Sequence, residues 1–399
     1  MAQNQFLTPS LITNETLVIL ENNLVMAGKV NRQFENQFVK IGTTLTVRKP
    51  NKYLVTSGPG LQIQNIVEPS TSITVNSQQH VDFLFSSADL TLVIEEFSER
   101  YLKPAAAKLA NKVDMDVLAN YVSVNNIVGT PGSTPNNFSY LAAVGQRMDE
   151  GAVPQDGRVL VLNAAANWGL AGALINTYVR SVAEPAYKGF LAAIANMEIY
   201  LDQNVPRQTV GAIGTTFGAA GPRVATAGQT GSTINANQLP TGVTNVLLAG
   251  DVITFQGVDA VNPESLQDTG SLMNFVVTAN VTSVGTTAAI PIYPAITPTG
   301  AYQNVTNAPI ANSQITVLDG TQNISYPQNL AFVRDAFGLV TVPMELPDGV
   351  DFKAREMYKN VSMRIVRQYD INNDWTPCRV DILYGTSTFY PELAVRLSG

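Results

Sequence analysis

The chain has 399 residues, of which 45% are hydrophobic and only 14% are charged, and its formal net charge is −7. One cysteine and one histidine exclude an intrachain disulfide, a multi-cysteine zinc or iron–sulfur site, and any site that needs two imidazoles. The acidic balance argues against a strongly basic nucleic-acid-binding surface. The N-terminus lacks the pattern of a secretory signal, and no apolar run approaches the roughly 20 residues of a transmembrane helix, so we expect a protein made in a reducing cytosol.

The first quarter of the sequence changes from a helical to a strand pattern. Leucines three and four residues apart over residues 10–28 predict a helix that ends near Gly28. Between residues 34 and 93, apolar and polar residues alternate but large apolar side chains are few, which predicts a long hairpin or arm that cannot bury itself alone. Because exposed strands promote aggregation of a monomer, we expect this arm to have a partner in an assembly.

Two groups of charged residues lie in and after this arm. The predicted tip of the arm is a polar, basic turn that contains Arg48, Lys49 and Lys52. Residues 94–122 predict the longest helix, because apolar side chains recur there with a helical period. Three acidic residues fall in the first turns of that helix, where the helix dipole favours anions, and these are Glu95, Glu96 and Glu99.

The middle of the chain predicts a strand–helix unit. A helix over residues 139–150 is followed by an apolar run at 157–163, typical of a buried strand, and then by a helical segment at 164–180. The other elements predicted in this region are a loop at 126–139, a helix at 183–194 and a short strand through Ile199 and Leu201.

The composition changes over residues 211–320, which are rich in Gly, Thr, Asn, Ala and Val and carry few charges. Short strand-like runs separated by turn residues predict an all-β insert, a small barrel or sandwich, and these runs are 246–248, 252–255, 275–278 and 315–318. Beyond the insert, Met363 and Ile365 precede a polar turn, and Val380 and Ile382 follow it. This pattern predicts a hairpin in the main sheet.

No motif indicates catalysis, a cofactor or a metal ion. Four glycines between residues 211 and 221 lack the Gly-Lys-Ser/Thr of a phosphate-binding loop, so a flexible hinge into the insert is the better interpretation. Four residues imitate a calcium-binding EF-hand loop, namely Asp370, Asn372, Asp374 and Asp381. Trp375 stands where that loop needs glycine, which favours a turn between two strands.

The two residues with the most reactive side chains stand alone in the sequence. His80 lies in a polar, strand-like run with no cysteine or second histidine near it, which favours a surface or interface residue. Cys378 lies on a predicted strand, and the presence of a single histidine, His80, favours a buried thiol over a nucleophile.

Several segments, taken in order, resemble the coat proteins of short-tailed phages of the Salmonella-phage type, which have the Hong Kong 97-like capsid fold. The similarity spans almost the whole chain. The segments that carry it are Arg158–Asn163 after the Val153–Pro154 turn, Asp202–Pro206 with Thr209 and Gly211, Gly250–Pro263, Gln328–Phe332, Gln368–Asp370, Asp381–Gly385 and Pro391–Leu393.

The resemblance implies an α+β fold of the Hong Kong 97-like capsid type with an all-β insertion domain. It divides the chain into six parts. These are residues 1–33 as an N-terminal arm helix, 34–93 as the extended E-loop and P-domain strands, 94–138 as the spine helix and P-domain, 139–210 as the first part of the A-domain, 211–320 as the β insertion domain, and 321–399 as the completion of the A- and P-domains.

The function that the resemblance implies is that of a major capsid protein, a structural subunit without catalytic residues or cofactors. It would self-assemble into pentamers and hexamers of the icosahedral head shell around phage double-stranded DNA. A scaffolding protein and a portal are implied as partners, with a location in the virion shell after assembly in the bacterial host cytoplasm. Two alternatives stay open. One is another structural phage protein, such as a tail or decoration protein, and the other is a β-rich hydrolase or carbohydrate-binding protein.

The two charged groups are the candidate subunit-interface residues. We expect the basic residues Arg48, Lys49 and Lys52 to contact an acidic patch near Glu95, Glu96 and Glu99 of a neighbouring subunit. The alternative is a solvated basic turn, because exposed ion pairs contribute little.

Overall fold

The computed structural model describes residues 24–34, 44–64, 68–86, 103–175, 193–213, 221–358 and 361–399. The chain divides into two compact units. Unit 1 comprises Met1–Val47, Ser70–Val117 and Phe337–Phe389, and unit 2 comprises Arg48–Pro69, Leu118–Ala336 and Tyr390–Gly399.

The described residues form three α-helices and twenty strands. The helices are α1 (Lys103–Leu118), α2 (Phe138–Glu150) and α3 (Ala164–Ile175). The strands are β1 (Thr44–Arg48), β2 (Ser70–Thr74), β3 (Ser77–Ser86), β4 (Ile127–Gly129), β5 (Arg158–Leu162), β6 (Ala193–Ile194), β7 (Met197–Leu201), β8 (Arg207–Thr209), β9 (Arg223–Val224), β10 (Gly231–Asn237), β11 (Val252–Val261), β12 (Asp268–Val277), β13 (Ala288–Ile296), β14 (Ile315–Val317), β15 (Ser325–Val333), β16 (Phe337–Thr341), β17 (Phe352–Tyr358), β18 (Val361–Arg367), β19 (Trp375–Thr388) and β20 (Ala394–Ser398). Short 3-10 helices lie at Ala119–Ser123, Arg334–Ala336 and Pro391–Leu393.

Unit 1 is built on a five-stranded sheet in the order β16-β19-β18-β17, with β3 also paired to β19. The predicted hairpin is confirmed as β18 and β19, which pair antiparallel with Ile365 opposite Val380. Both side chains are buried, as are Met363 and Ile382. The apolar residues on either side of the polar turn therefore form the core face of this sheet.

The described part of the long predicted helix is α1, which also belongs to unit 1. Ala106, Leu109, Val113 and Val117 form its buried face, in agreement with the helical period. The first part of the prediction, over residues 94–102, lies outside the described residues.

The N-terminal helix predicted at 10–28 is wrong in its described part, because residues 24–30 form turns. The physical reason is Asp114, a buried carboxylate on α1. It accepts hydrogen bonds from the backbone N–H groups of Val25 at 2.7 Å and Ala27 at 3.0 Å. Those amides are then not available to a continuing α-helix. Residues 1–23 lie outside the described part of the chain.

Unit 2 contains a seven-stranded sheet in the order β4-β20-β15-β5-β7-β6, with β8 paired to β15. The predicted strand is β5, which is buried at all five residues and runs parallel to β7. Helices α2 and α3 pack on this sheet and share its core, which includes Leu141, Met148, Leu160 and Leu397. These elements confirm the strand–helix unit and the predicted strand at Ile199 and Leu201.

Two predictions at the edges of this sheet are wrong. The loop predicted at 126–139 begins with β4, which pairs in parallel with β20, and the Arg396 N–H donates to the Asn126 carbonyl at 2.8 Å. The helix predicted at 183–194 ends instead in β6, which pairs antiparallel with β7. Both strands are only two or three residues long, so they have no periodic pattern of their own. Residues 183–192 lie outside the described part.

A six-stranded sheet in the order β14-β11-β12-β13-β10-β9 falls within the predicted β insert. Its two ends join, because Arg223 bridges Gln314 and the Val224 N–H donates to the Ser313 carbonyl at 2.9 Å. The sheet therefore closes into a small barrel, one of the two predicted forms, around an apolar core that includes Phe255 and Phe275. Residues 246–248 are not a strand as predicted, and only Leu247 forms a bridge there.

Candidate subunit interface and buried ionic cluster

The loop between β1 and β2 is a doubled-back arm. At its base the Lys49 N–H donates to the Pro69 carbonyl at 2.8 Å, which extends the pairing of the two strands. Farther out, the Leu54 N–H donates to Oε1 of Gln64 at 2.9 Å, and Nε2 of Gln64 donates back to the Leu54 carbonyl at 2.5 Å. One glutamine side chain therefore holds the two sides of the loop together.

Large apolar side chains on this arm are exposed. Val55 is 99% exposed, Leu61 88%, Ile63 85% and Tyr53 61%. This exposure agrees with the expectation from the sequence that the arm cannot bury itself alone. Alternation assigns side chains to faces, but it does not supply a surface for the apolar face to cover.

The basic residues lie at the base of the arm and not at its tip, which corrects the prediction. Arg48 is the last residue of β1, and its guanidinium lies 3.5 Å from the carboxylate of Glu68. The Lys49 ammonium lies 4.8 Å from the centre of the Tyr390 ring. Lys52 is exposed, and its backbone N–H is 3.3 Å from a tyrosine hydroxyl of the barrel. The candidate partners Glu95, Glu96 and Glu99 lie outside the described residues.

The base of the barrel contains a fully buried cation, the guanidinium of Arg396 on β20. It donates to the Val124 carbonyl from Nε at 2.8 Å and from Nη2 at 2.6 Å, and to the Gly250 carbonyl from Nη1 at 2.7 Å. It also lies 5.4 Å from the centre of the Tyr121 ring. One side chain thus connects β20, the segment before β4 and the segment between β10 and β11 of the barrel.

Asp251 is the better hydrogen-bonded of two buried carboxylates near this cation. Its oxygens accept from Nε2 of Gln208 at 2.9 Å, the Leu248 N–H at 2.8 Å and the Gly211 N–H at 3.0 Å. The hydroxyl of Tyr121 donates to Oε1 of Gln208 at 2.8 Å and extends the network. Burial raises the pKa of Asp251, while its hydrogen bonds act to lower it.

Gly211 is a fixed part of this network, which corrects its interpretation as a flexible hinge. The residue is buried. A Cβ at this position would lie 2.6 Å from Leu247 Cα and 2.9 Å from the Asp251 carboxylate. Glycine is therefore required by close packing at the barrel entry. Gly214 and Gly218, which also belong to the predicted hinge, lie outside the described residues.

Asp319, the second buried carboxylate, lies where the chain leaves the barrel after β14. Its Oδ2 accepts from the Val252 N–H, and its Oδ1 lies 3.7 Å from Nη1 of Arg396 and has no hydrogen-bond partner. Burial and the nearby Asp251 raise the pKa of Asp319 to about 7, although Arg396 acts in the opposite direction. Sequence reasoning missed this cluster. The available signal is an arginine within the buried run Ala394–Ser398.

The remaining candidates for chemistry are His80, Cys378 and the EF-hand-like segment, and the contacts of each indicate a structural role. His80 is about half exposed on β3, with its Nδ1 3.0 Å from the Asp82 carboxylate. Cys378 is buried on β19, where burial raises the pKa of its thiol to about 11. The EF-hand-like segment is a turn, because Asp370 and Trp375 bridge each other and the Asp370 carboxylate accepts from the Asn372 N–H at 3.0 Å.

Neither a metal-binding group nor a membrane-spanning helix has a candidate among the described residues. No three His, Cys, Asp or Glu side chains converge there in a metal-binding group. No described helix is long and apolar enough to cross a membrane.

Solved structures of phage proteins are similar to this chain at low sequence identity. A structure from Mycobacterium phage Che8 is 12% identical with a TM-score of 0.48, covering 100% of this chain and 94% of that chain. The capsid structure of cyanophage P-SCSP1u is 12% identical with a TM-score of 0.44, covering 90% and 83%. A structure from Mycobacterium phage Ogopogo is 11% identical with a TM-score of 0.45, covering 94% and 91%. No curated protein matches the chain by sequence.

A family model settles the class of protein, which is a viral coat protein. The family described as P22 coat protein, gene protein 5, matches residues 1–399. The chain belongs to the P22 coat protein family and is a major capsid protein, a structural subunit of the icosahedral head shell of a phage. The expected α+β class is confirmed by the mixed sheets and helices of both units.

Proposed function

We propose that this coat protein assembles with copies of itself into pentamers and hexamers of a Hong Kong 97-like shell that encloses double-stranded DNA. Its other partners are a scaffolding protein and a portal, assembly takes place in the bacterial host cytoplasm, and the role is structural with no catalytic step. In this proposal the N-arm, E-loop, spine helix, A-domain, P-domain and insertion domain have the boundaries predicted from the sequence. Membership of the coat protein family supports self-assembly and the structural role.

The observation that carries self-assembly is the exposed apolar arm of unit 2. Leu61 and Ile63 are more than four-fifths exposed although the arm is held in shape by the Leu54–Gln64 hydrogen bonds. Burial of one such side chain contributes roughly 1.5–3 kcal/mol. A neighbouring subunit that covers the arm gains this contribution at every copy in the shell, so modest contacts add up across the assembly.

Electron microscopy of the purified, overexpressed chain tests the proposal. We expect closed shells from the wild type, and rings or tubes would instead favour a tail protein. The double variant Leu61→Asp with Ile63→Asp should remain monomeric with an unchanged Tm, because both side chains are already exposed in the single subunit. The matched control Gln62→Asp adds a charge between them and should still assemble. Normal shells from the double variant would refute the role of the arm.

The same assay examines the basic residues as interface residues. We propose that Arg48, Lys49 and Lys52 contact the acidic residues Glu95, Glu96 and Glu99 of a neighbour. Among the described residues, Arg48 pairs with the exposed Glu68 at 3.5 Å, a weak pair that a neighbour can replace at little cost. Arg48→Glu combined with Lys49→Glu should therefore impair assembly, and intact shells from this variant would exclude the contact.

A further inference from the structure

The buried ionic cluster lies beside the two points where the chain passes between the seven-stranded sheet and the barrel, which are between β8 and β9 and between β14 and β15. Asp251, which precedes β11 within the barrel, accepts from the Gly211 N–H at 3.0 Å near the first point, and Asp319 follows β14 by two residues at the second. Arg396 on β20 donates to the Gly250 carbonyl, next to Asp251, and lies 3.7 Å from Asp319. Any change in charge at this cluster therefore acts on the attachment of the barrel.

The charges in this cluster do not balance when every group is ionised. Four titratable groups face one another from the elements packed there, and these are Tyr121, Asp251, Asp319 and Arg396. Arg396 keeps its positive charge, since guanidinium stays protonated in proteins. Two ionised carboxylates beside it would leave one buried negative charge without a partner, which is strongly unfavourable.

Hydrogen bonding decides which carboxylate holds a proton. Asp251 accepts three N–H donors, an arrangement that stabilises the ionised form. Asp319 accepts one, and its Oδ1 has no partner. An ionised Asp319 would place a full negative charge on a buried carboxylate that only one N–H donor stabilises, so the neutral form belongs to Asp319. The raised pKa of Asp319, about 7, agrees with this assignment.

We propose that the Arg396–Asp319–Asp251 cluster is a pH-dependent latch that attaches the barrel to the seven-stranded sheet. The closed attachment is more stable while Asp319 is protonated and less stable when Asp319 ionises. The direction follows from linkage. An exposed aspartate releases its proton near the ordinary pKa of 3.8, whereas folded Asp319 retains it up to about pH 7. Between these values the opened form binds fewer protons than the closed form, so closure weakens as the pH rises.

Hydrogen exchange of the unassembled, full-length chain tests the latch. After correction for intrinsic exchange rates, we expect protection of the Val252 and Leu318 amides to fall by up to about tenfold per pH unit between pH 5 and 7, the limit for release of one proton. Val252 donates to Asp319, and the Leu318 N–H donates to the Val252 carbonyl at 2.9 Å. The amides of β18 in unit 1 provide an internal control and should stay constant.

Variants separate Asp319 from the other carboxylates. Asp319→Asn should remove the pH dependence at Val252, whereas Asp156→Asn, an exposed change in the same unit, should keep the wild-type slope. A flat profile in the wild type, or a wild-type slope in Asp319→Asn, would overturn the proposal. If the Asn variant does not fold, the difference between β11 and β18 amides in the wild type still decides the question.

Discussion

Each unit of the molecule places an arginine beside a fully buried aspartate, but the two arrangements differ in charge balance. In unit 1, Arg364 and Asp381 form a bidentate pair with distances of 3.0 and 2.5 Å, and Nε2 of Gln78 adds a third donor at 3.0 Å. In unit 2, Arg396 gives its hydrogen bonds to carbonyls and leaves Asp319 3.7 Å away, with Asp251 also nearby.

The difference shows how one kind of ion pair can have two roles. One cation matched to one fully hydrogen-bonded anion holds β3, β18 and β19 together with no excess charge. One cation shared by two carboxylates requires a proton, so its stability depends on pH.

The largest expected effect comes from removing the shared cation. Arg396→Met should lower the free energy of unfolding by about 3–5 kcal/mol, because two buried carboxylates and two carbonyls lose their positive partner. Urea unfolding of the unassembled chain measures this loss. Arg207→Met is the matched control, an exposed arginine in the same unit, and should change stability by less than about 1 kcal/mol. Equal losses in the two variants would mean that the cluster contributes no more than a surface contact.

A smaller effect with opposite signs in the two clusters is expected from neutralising one aspartate. At pH 8, Asp381→Asn should destabilise the chain by about 1.5–3 kcal/mol, because buried Asp381 accepts charge-assisted hydrogen bonds from Arg364. Asp319→Asn should stabilise it at the same pH, because the unpaired negative charge disappears. Urea unfolding at pH 8 measures both, with Asp156→Asn as the reference. Two changes of the same sign would contradict the comparison.

The smallest effect concerns the exposed pair of Arg379 and Asp82, which has the same bidentate geometry as Arg364 and Asp381. Hydrogen bonds from Arg379 are the main cause that lowers the pKa of Asp82. A lowered folded pKa stabilises the fold above the ordinary value of 3.8, and this contribution is lost as the pH falls through the folded pKa. Asp82→Asn should therefore reduce stability by at most about 1 kcal/mol at pH 6 and by less at pH 3. Thermal unfolding at both values measures it, and a larger loss at pH 3 would contradict the sign.

Predictions from the sequence succeeded where a repeated pattern coincided with burial. The buried face of α1, the strand β5 and the pairing of Ile365 with Val380 all follow from periodicity over several residues. Predictions failed where a distant partner decided the outcome. Strand β4 exists because β20 pairs with it, and residues 24–30 form turns because Asp114 accepts their amides.

The candidate sites show the same division. The scarcity of reactive groups, the apolar arm, the low-charge β insert and, through ordered motifs, the coat protein family follow from composition and local patterns, which are properties of the chain alone. The position of the basic residues at the base of the arm and the proximity of Arg396 to Asp251 and Asp319 depend on the folded structure. Those three residues are far apart in the chain, and their charge balance depends on burial and hydrogen bonds that exist only after the sheet and the barrel have closed around them.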